Sequence, residues 1–227
     1  MLPIGKLYIV ATPIGNLEDI TFRAVRVLKE VDLILAEDTR ETRKLLDRYQ
    51  IDKPSISFHQ HSNPEKINYL LSLLKEGKNL ALVSEAGTPG ISDPGNWLIN
   101  LAIKQFENIT VIPIPGPCAL IAALSISGFK TDRFVFFGFI PQKKKRRKFL
   151  EKIASSDETA VFYESPYRII KTLSELVNFE KIKQREVMVC RELTKKFETI
   201  YRGRIEEVIQ KIKEDRVKGE FVVVVSS

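Results

Sequence analysis

Apolar positions fall into two rhythms that alternate along the chain. Short runs with few polar breaks, Leu7-Tyr8-Ile9-Val10-Ala11, Leu33-Ile34-Leu35-Ala36 and Leu80-Ala81-Leu82-Val83, read as strands buried on both faces. Between them apolar residues recur every third or fourth position: Ile20, Ala24, Val27, Leu28 and Val31, then Ile67, Leu70, Leu71 and Leu74. That spacing places them along one side of a helix. The pattern predicts helices over 20–31, 42–49, 65–76 and 96–103, with further strands over 55–58 and 110–112. Gly77 supplies a helix stop, since glycine accepts the left-handed backbone of a C-terminal cap. Strands alternating with helices predict an α/β fold whose first sheet is mostly parallel and covered on both faces.

The rhythm breaks at Pro113-Ile114-Pro115-Gly116-Pro117. So many prolines leave the backbone few donors, which marks a domain boundary. The expected domains are 1–115 and 116–227, each of a size that can hold its own core. In the second, a helix over 119–127 precedes strands over 134–139, 160–163, 186–190, 198–201 and 221–225. Helices over 146–154, 167–177 and 205–214 lie between them, so the second domain reads as α/β with a mixed sheet.

Four loops follow predicted strands: Ala11-Thr12-Pro13-Ile14-Gly15-Asn16, Ala36-Glu37-Asp38-Thr39-Arg40, the stretch from Ser84 to Gly95, and Pro113 to Pro117. In a parallel sheet all four lie on its carboxyl edge, where open α/β folds bind ligands. Glycines in the third loop let a ligand approach the backbone, and its prolines fix the loop's shape. The chain has neither G-x-G-x-x-G nor G-x-x-x-x-G-K-[ST], so the dinucleotide and nucleotide-triphosphate cradles are excluded. A small zwitterionic or neutral cofactor held by backbone groups fits better. Glu37, Asp38, Glu85 and Asp93 stand at the carboxyl ends of strands. Each has the chemistry of a general base or cofactor ligand, and each equally suits a helix N-terminus. His59 and His61 have no nearby cysteine and no H-E-x-x-H spacing; they read as a solvent-facing pair, and no metal site is expected. Ser84, Ser92, Cys118 and Cys190 lack a neighbouring base that would make them nucleophiles.

Charge adds a partner. Lys and Arg outnumber Asp and Glu by 36 to 29, a net charge of +7. Six consecutive cations, Lys143, Lys144, Lys145, Arg146, Arg147 and Lys148, start a predicted helix, where positive charge opposes the helix dipole. An anion such as RNA phosphate would relieve that conflict. No apolar run reaches the roughly 20 residues a membrane helix needs. The N-terminal Met1-Leu2-Pro3-Ile4-Gly5-Lys6 lacks the pattern of a signal peptide. Two cysteines, Cys118 and Cys190, suit a reducing cytoplasm rather than a disulfide framework.

Seven segments together resemble the tetrapyrrole methylase superfamily, and within it the branch that methylates small-subunit ribosomal RNA. They are Leu7 to Leu17, Ala36 to Arg40, Ala86 to Gly95, Pro115 to Ala119, Phe162-Tyr163-Glu164-Ser165-Pro166, Arg191-Glu192-Leu193-Thr194-Lys195 and Gly219-Glu220-Phe221. The chain departs from the usual pattern at Glu85 (commonly Asp), Cys118 (commonly Ser) and Tyr167 (commonly His). The resemblance implies two α/β domains with S-adenosylmethionine in the cleft between them, and no metal. It implies methylation of the ribose 2′-hydroxyl of cytidine 1402 (the RNA's usual numbering) in 16S RNA, within the 30S particle, by a homodimer. Carried onto this chain, the cofactor would be lined by Pro13, Gly87, Thr88, Pro89, Ser92, Asp93, Pro115, Gly116, Cys118 and Ala119. Tyr163, Glu164, Glu192 and Leu193 would close the pocket. Lys195 would hold substrate phosphate, and Glu37, Asp38, Glu85 and Asp93 stay equal candidates for the base.

Overall fold

The unbroken apolar runs form the strands of one parallel sheet. In the computed structural model, which describes residues 3–59, 62–93 and 95–227, this sheet comprises β1 (Lys6–Val10), β2 (Leu33–Ala36), β3 (Ser55–Ser57), β4 (Leu80–Val83) and β5 (Thr110–Ile114), in the order β3-β2-β4-β1-β5. The chain divides into two units, one running to Cys118 and the other from Ala119 to Ser227.

Strand side chains alternate between two cores, as a period of two requires. Val10, Ile34, Ala36, Ala81 and Val83 pack against α1 (Phe22–Glu30) and α2 (Thr39–Arg48). Leu7, Ile9, Leu33, Leu35, Leu80 and Leu82 pack against α3 (Pro64–Lys75) and α4 (Gly95–Gln105). The first three helices are capped from the sequence. Thr21 accepts from the Ala24 amide, Asp38 from Arg40 and Asn63 from Lys66, with Pro64 in the first helical turn. Gly77 ends α3 at φ +86°. From β2 the chain departs toward β3, and from β4 it departs toward β5, so the connections diverge between these two neighbouring strands. That divergence opens a crevice at the carboxyl edge.

One expectation is corrected. Pro113 and Ile114 do not break the sheet: they continue β5, with Pro113 registered against Ile9 and Ile114 against Val10. β5 is an edge strand, where a residue lacking an N–H need not enter a ladder.

The second unit holds α5 (Ala119–Ser127), β6 (Phe134–Phe139), α6 (Arg146–Ser155), β7 (Thr159–Glu164), α7 (Ile169–Leu176), the short α8 (Glu180–Lys183), β8 (Glu186–Arg191), β9 (Thr199–Arg204), α9 (Ile205–Glu214) and β10 (Phe221–Val225). Its sheet runs β6-β7-β10-β8-β9. β6 and β7 are parallel and the other pairs antiparallel, the mixed sheet the sequence predicts. Phe162, Val189, Phe221 and Val223 pack on Leu150, Leu173, Val208 and Ile212 of the helices. Two elements have no counterpart in the periodicity reading: α8 and a 3-10 turn at Leu17–Asp19. Both are too short to repeat an apolar period. Among the described residues no helix is long and apolar enough to cross a membrane.

Candidate active site

At the carboxyl edge of the first sheet, side chains and backbone stitch three loops together. Thr12, after β1, exchanges two backbone hydrogen bonds with Gly87, after β4: its N–H donates at 2.9 Å and its carbonyl accepts at 3.0 Å. The buried Thr12 hydroxyl donates to the Ser84 carbonyl at 3.0 Å. Thr88 donates through Oγ1 to the Pro117 carbonyl at 3.1 Å, tying in the loop after β5. Gly116 sits so close to β1 that a Cβ there would lie 2.9 Å from the Ala11 Cβ, inside any normal carbon contact. Pro13 and Pro89 are buried, Pro115 and Gly116 are exposed, and Thr88 and Cys118 are half-buried. These three loops are therefore cross-linked to one another, and the groups that join them are small and uncharged, the chemistry expected of a backbone-held cofactor.

Asp93 closes the loop after β4 on itself. One carboxylate oxygen accepts from Gly90 N at 2.8 Å and from Gly95 N at 2.6 Å. Asn96 adds a bond from its amide to the Gly90 carbonyl at 2.8 Å. Within this bracket Ser92 takes φ +58°, a left-handed backbone uncommon for a residue with a side chain. Pro94, in the same loop, lies outside the described residues, as does His61.

The four carboxylates do not share one environment. Asp38 caps α2, accepting from the Arg40 amide at 2.8 Å and pairing with the Arg40 guanidinium at 2.6 Å. These hydrogen bonds from Arg40, side chain first, hold its carboxyl down at about 2. Glu37 is shifted the other way. The loop walls withdraw water from its carboxyl although the residue as a whole is exposed, and the nearby charges of Glu85 and Asp93 add to the rise, which His59 partly opposes. Ala36 and Val83 are paired in the sheet, so Glu37 and Ser84 leave adjacent strands side by side and Glu85 follows at once. The structure thus brings Glu37, Glu85 and Asp93 to the point where the chain connections diverge, and turns Asp38 to capping. Among the described residues no group of three or more His, Cys, Asp or Glu side chains is disposed to hold a metal.

In the second unit the residues singled out in the sequence are mostly engaged with their own fold. Tyr163 Oη accepts from the Leu120 amide at 3.2 Å, and its ring meets Phe136 and Phe139 edge-on. Glu164 is buried, with both carboxylate oxygens bonded. Glu192 takes φ +52° and folds over Gly219, accepting from Glu220 N and from Lys195, each at 2.9 Å. These bonds outweigh burial and lower its carboxyl. Lys195 also reaches Glu220 at 2.9 Å; burial opposes its charge, but the two carboxylates prevail and raise it. Leu193 is buried, and Ala119 starts α5.

Within the basic run, Lys143, Lys144, Lys145, Arg147 and Lys148 are exposed. Arg146 is not. Its guanidinium is buried, paired with Glu175 at 2.7 Å and bonded to Thr172 Oγ1 at 2.7 Å and the Pro141 carbonyl at 3.2 Å. The reading of six equivalent cations is corrected on this point: Arg146 serves the fold. Thr172 was not singled out in the sequence. Its signal was a hydroxyl on a helix face otherwise buried through Ile169, Leu173 and Leu176.

Comparison with known proteins agrees with this architecture. The model of the tetrapyrrole (corrin/porphyrin) methylases matches residues 6–209. A protein of Halalkalibacterium halodurans named ribosomal RNA small subunit methyltransferase I is 50% identical over 222 residues, covering 97% of this chain and 75% of that protein. A protein of the same name from Thermotoga maritima is 47% identical, covering 98% of this chain and 99% of its own length. Among solved structures, uroporphyrin-III C-methyltransferase from Thermus thermophilus, complexed with S-adenyl homocysteine, superposes with a TM-score of 0.65 at 19% identity over 97% of both chains. The match spans both units, and the chain belongs to the tetrapyrrole methylase family, alongside the proteins named ribosomal RNA small subunit methyltransferase I.

Proposed function

We propose that this chain transfers the methyl group of S-adenosylmethionine to a ribose 2′-hydroxyl of small-subunit ribosomal RNA, at cytidine 1402 of the 16S molecule. The observation that carries the reading is the near-full-length identity of about half to proteins bearing the ribosomal RNA methyltransferase name, across both units. The same reading makes it a cytoplasmic homodimer acting on the 30S particle, with no metal.

The carboxyl edge of the first sheet fits the cofactor. Loops built on Gly87, Gly90 and Gly116 carry little side-chain bulk, Gly116 is exposed, and the bonds from Thr12 and Thr88 keep the loops in place. The charges of Glu37, Glu85 and Asp93 favour a cation nearby. When bound, S-adenosylmethionine supplies an electrophilic methyl on a sulfonium, so the reaction needs an oxygen nucleophile held in line. The loops contribute positioning, which in well-oriented systems is worth about 7–11 kcal/mol.

Glu37 is the best base in the set. A carboxyl whose proton affinity is raised takes a hydroxyl proton more readily than one held down by Arg40, which removes Asp38 from the role. Asp93 has an oxygen committed to Gly90 and Gly95, which leaves it to hold the loop. Lys143, Lys144, Lys145, Arg147 and Lys148 meet the RNA backbone through charge.

The test is methylation of 30S particles lacking the mark, with purified protein and labelled S-adenosylmethionine. Alkaline-hydrolysis mapping is expected to give one new protected position, at cytidine 1402. Methylation at another nucleotide sinks the site assignment. Turnover of a corrin or porphyrin with none on RNA sinks the substrate class.

A further inference from the structure

We propose that Glu164 is a positioning residue for the basic run, acting through two arginines that grip the backbone where the run begins, and that it does not bind cofactor. The inference rests on the reading of that run as an RNA contact.

The observations form one connected chain inside the second unit. Glu164 ends β7 and is 1% exposed. Its Oε1 accepts from Ser165 N at 2.8 Å and pairs with Arg168 at 2.7 Å. Its Oε2 accepts from Thr172 Oγ1 at 2.7 Å. A hydroxyl has a single proton, and the carboxylate takes it. Thr172 Oγ1 is then left to accept, and Arg146 Nη2 donates to it at 2.7 Å. Each arginine spends a further donor on the chain just before the run. Arg168 Nη1 donates to the Ile140 carbonyl at 2.9 Å, and Arg146 Nη1 donates to the Pro141 carbonyl at 3.2 Å. Glu175 holds Arg146 from the other side at 2.7 Å.

One carboxylate therefore fixes two consecutive carbonyls, at the point where β6 gives way to Lys143. The geometry also accounts for the start of α6. Lys145 precedes it with φ +69° and no side-chain cap, a strained entry for a lysine. Arg146, next in sequence, is drawn into the fold and holds that turn. The exposed cations on either side are thereby held on a fixed backbone, and less disorder is lost when they meet a polyanion.

Thr172→Val removes the hydroxyl at nearly constant volume and cuts the link between Glu164 and Arg146. Thr172→Ser keeps it. In the full chain, trypsin is expected to cut within residues 143–148 several-fold faster in Thr172→Val, with Thr172→Ser at the parent rate. The KM for 30S particles should rise about tenfold, the size of one lost buried hydrogen bond. At the same time kcat and the S-adenosylmethionine Kd should stay within about twofold, since the bonds cut are internal to the second unit and leave the hydrogen bonds of the first unit's loops intact. Unchanged proteolysis overturns the clamp, whatever the protein's substrate. Faster proteolysis with an unchanged KM overturns the link to RNA and leaves the methyltransferase reading intact. A weakened cofactor Kd returns Glu164 to the pocket and overturns the proposal. Should Thr172→Val melt too early to assay, Arg168→Lys keeps a cation beside Glu164 but loses the fork that also reaches the Ile140 carbonyl, and it is held to the same outcomes.

Discussion

Thr12 and Gly87 form an antiparallel bridge at the mouth of a parallel sheet, with both backbone bonds near 3 Å (2.9 and 3.0 Å). The bridge fastens the loop after β1 to the loop after β4. Each loop is then held at two places: where its strand ends, and at the bridge. On the proposed function, a cofactor docking there meets backbone that does not have to be ordered first.

Gly87 carries φ +85° in that bridge. A Cβ there would meet Ile14 Cγ2 at 3.4 Å and the Pro117 carbonyl at 3.6 Å, so space is adequate and backbone conformation is the obstacle. Gly87→Ala is expected to cost about 1–2 kcal/mol, the penalty for a left-handed residue with a side chain. The melting temperature should fall by a few degrees, and calorimetry should show weaker S-adenosylmethionine binding. An unaltered Kd would separate the bridge from the cofactor.

With Glu37 as the proposed base, its acidic neighbours are expected to set a pH dependence. A base works when ionised, so kcat/KM falls as pH drops through the carboxyl's raised value. Glu85→Gln removes one of the charges that raises it, and the acid limb should then move to lower pH. Glu37→Gln should abolish that limb and lower kcat by about 10²–10⁴-fold. Asp38→Asn should retain most of the rate. A limb that ignores Glu85→Gln would place the base elsewhere.

Asp38 predicts a different acid response, in stability. Its carboxyl is held at about 2, below the ordinary 3.8, so it stays ionised in the folded chain when the unfolded chain has taken up the proton. The contribution is fully present above pH 3.8 and lost as pH falls through about 2. Asp38→Ala, followed by circular dichroism, should lower stability at neutral pH. It should also flatten the decline across that acid window.

The two thiols should separate cleanly. Burial in β8 pushes Cys190 up to about 12, leaving almost no thiolate at pH 8. Cys118 is half-buried in the loop after β5. Iodoacetamide followed by peptide mass spectrometry should label Cys118 in the native protein and Cys190 only after unfolding. S-adenosylmethionine should slow labelling at Cys118; no protection would exclude that loop from the cofactor's footprint.

Most of the fold was legible because its signals are local. Leu33–Ala36 and Leu80–Val83 announce themselves as strands by having no polar side to offer solvent, and both have the predicted ends. Pro113 misled because a proline-rich stretch looks like a break in isolation; the role of β5 as an edge strand depends on a sheet order that no local signal carries. The site was legible as a set of loops and not as a division of labour. Glu37 and Asp38 are adjacent carboxylates of nearly equal chemistry. Arg40 claims one, while Glu85 and Asp93 crowd the other from another strand's loop. Arg146 shows the same limit: six cations in a row look alike until Glu175 and Thr172, far along the chain, select one.

In the second sheet the strand latest in chain order, β10, occupies the centre, between β7 and β8. Those two neighbours have no shared ladder until it arrives. A ribosome making this chain therefore releases the first unit able to fold while the second still lacks its keystone. Released chains truncated before Phe221 should show protease resistance confined to residues up to Cys118, and extending them through Val225 should complete the protected set in one step.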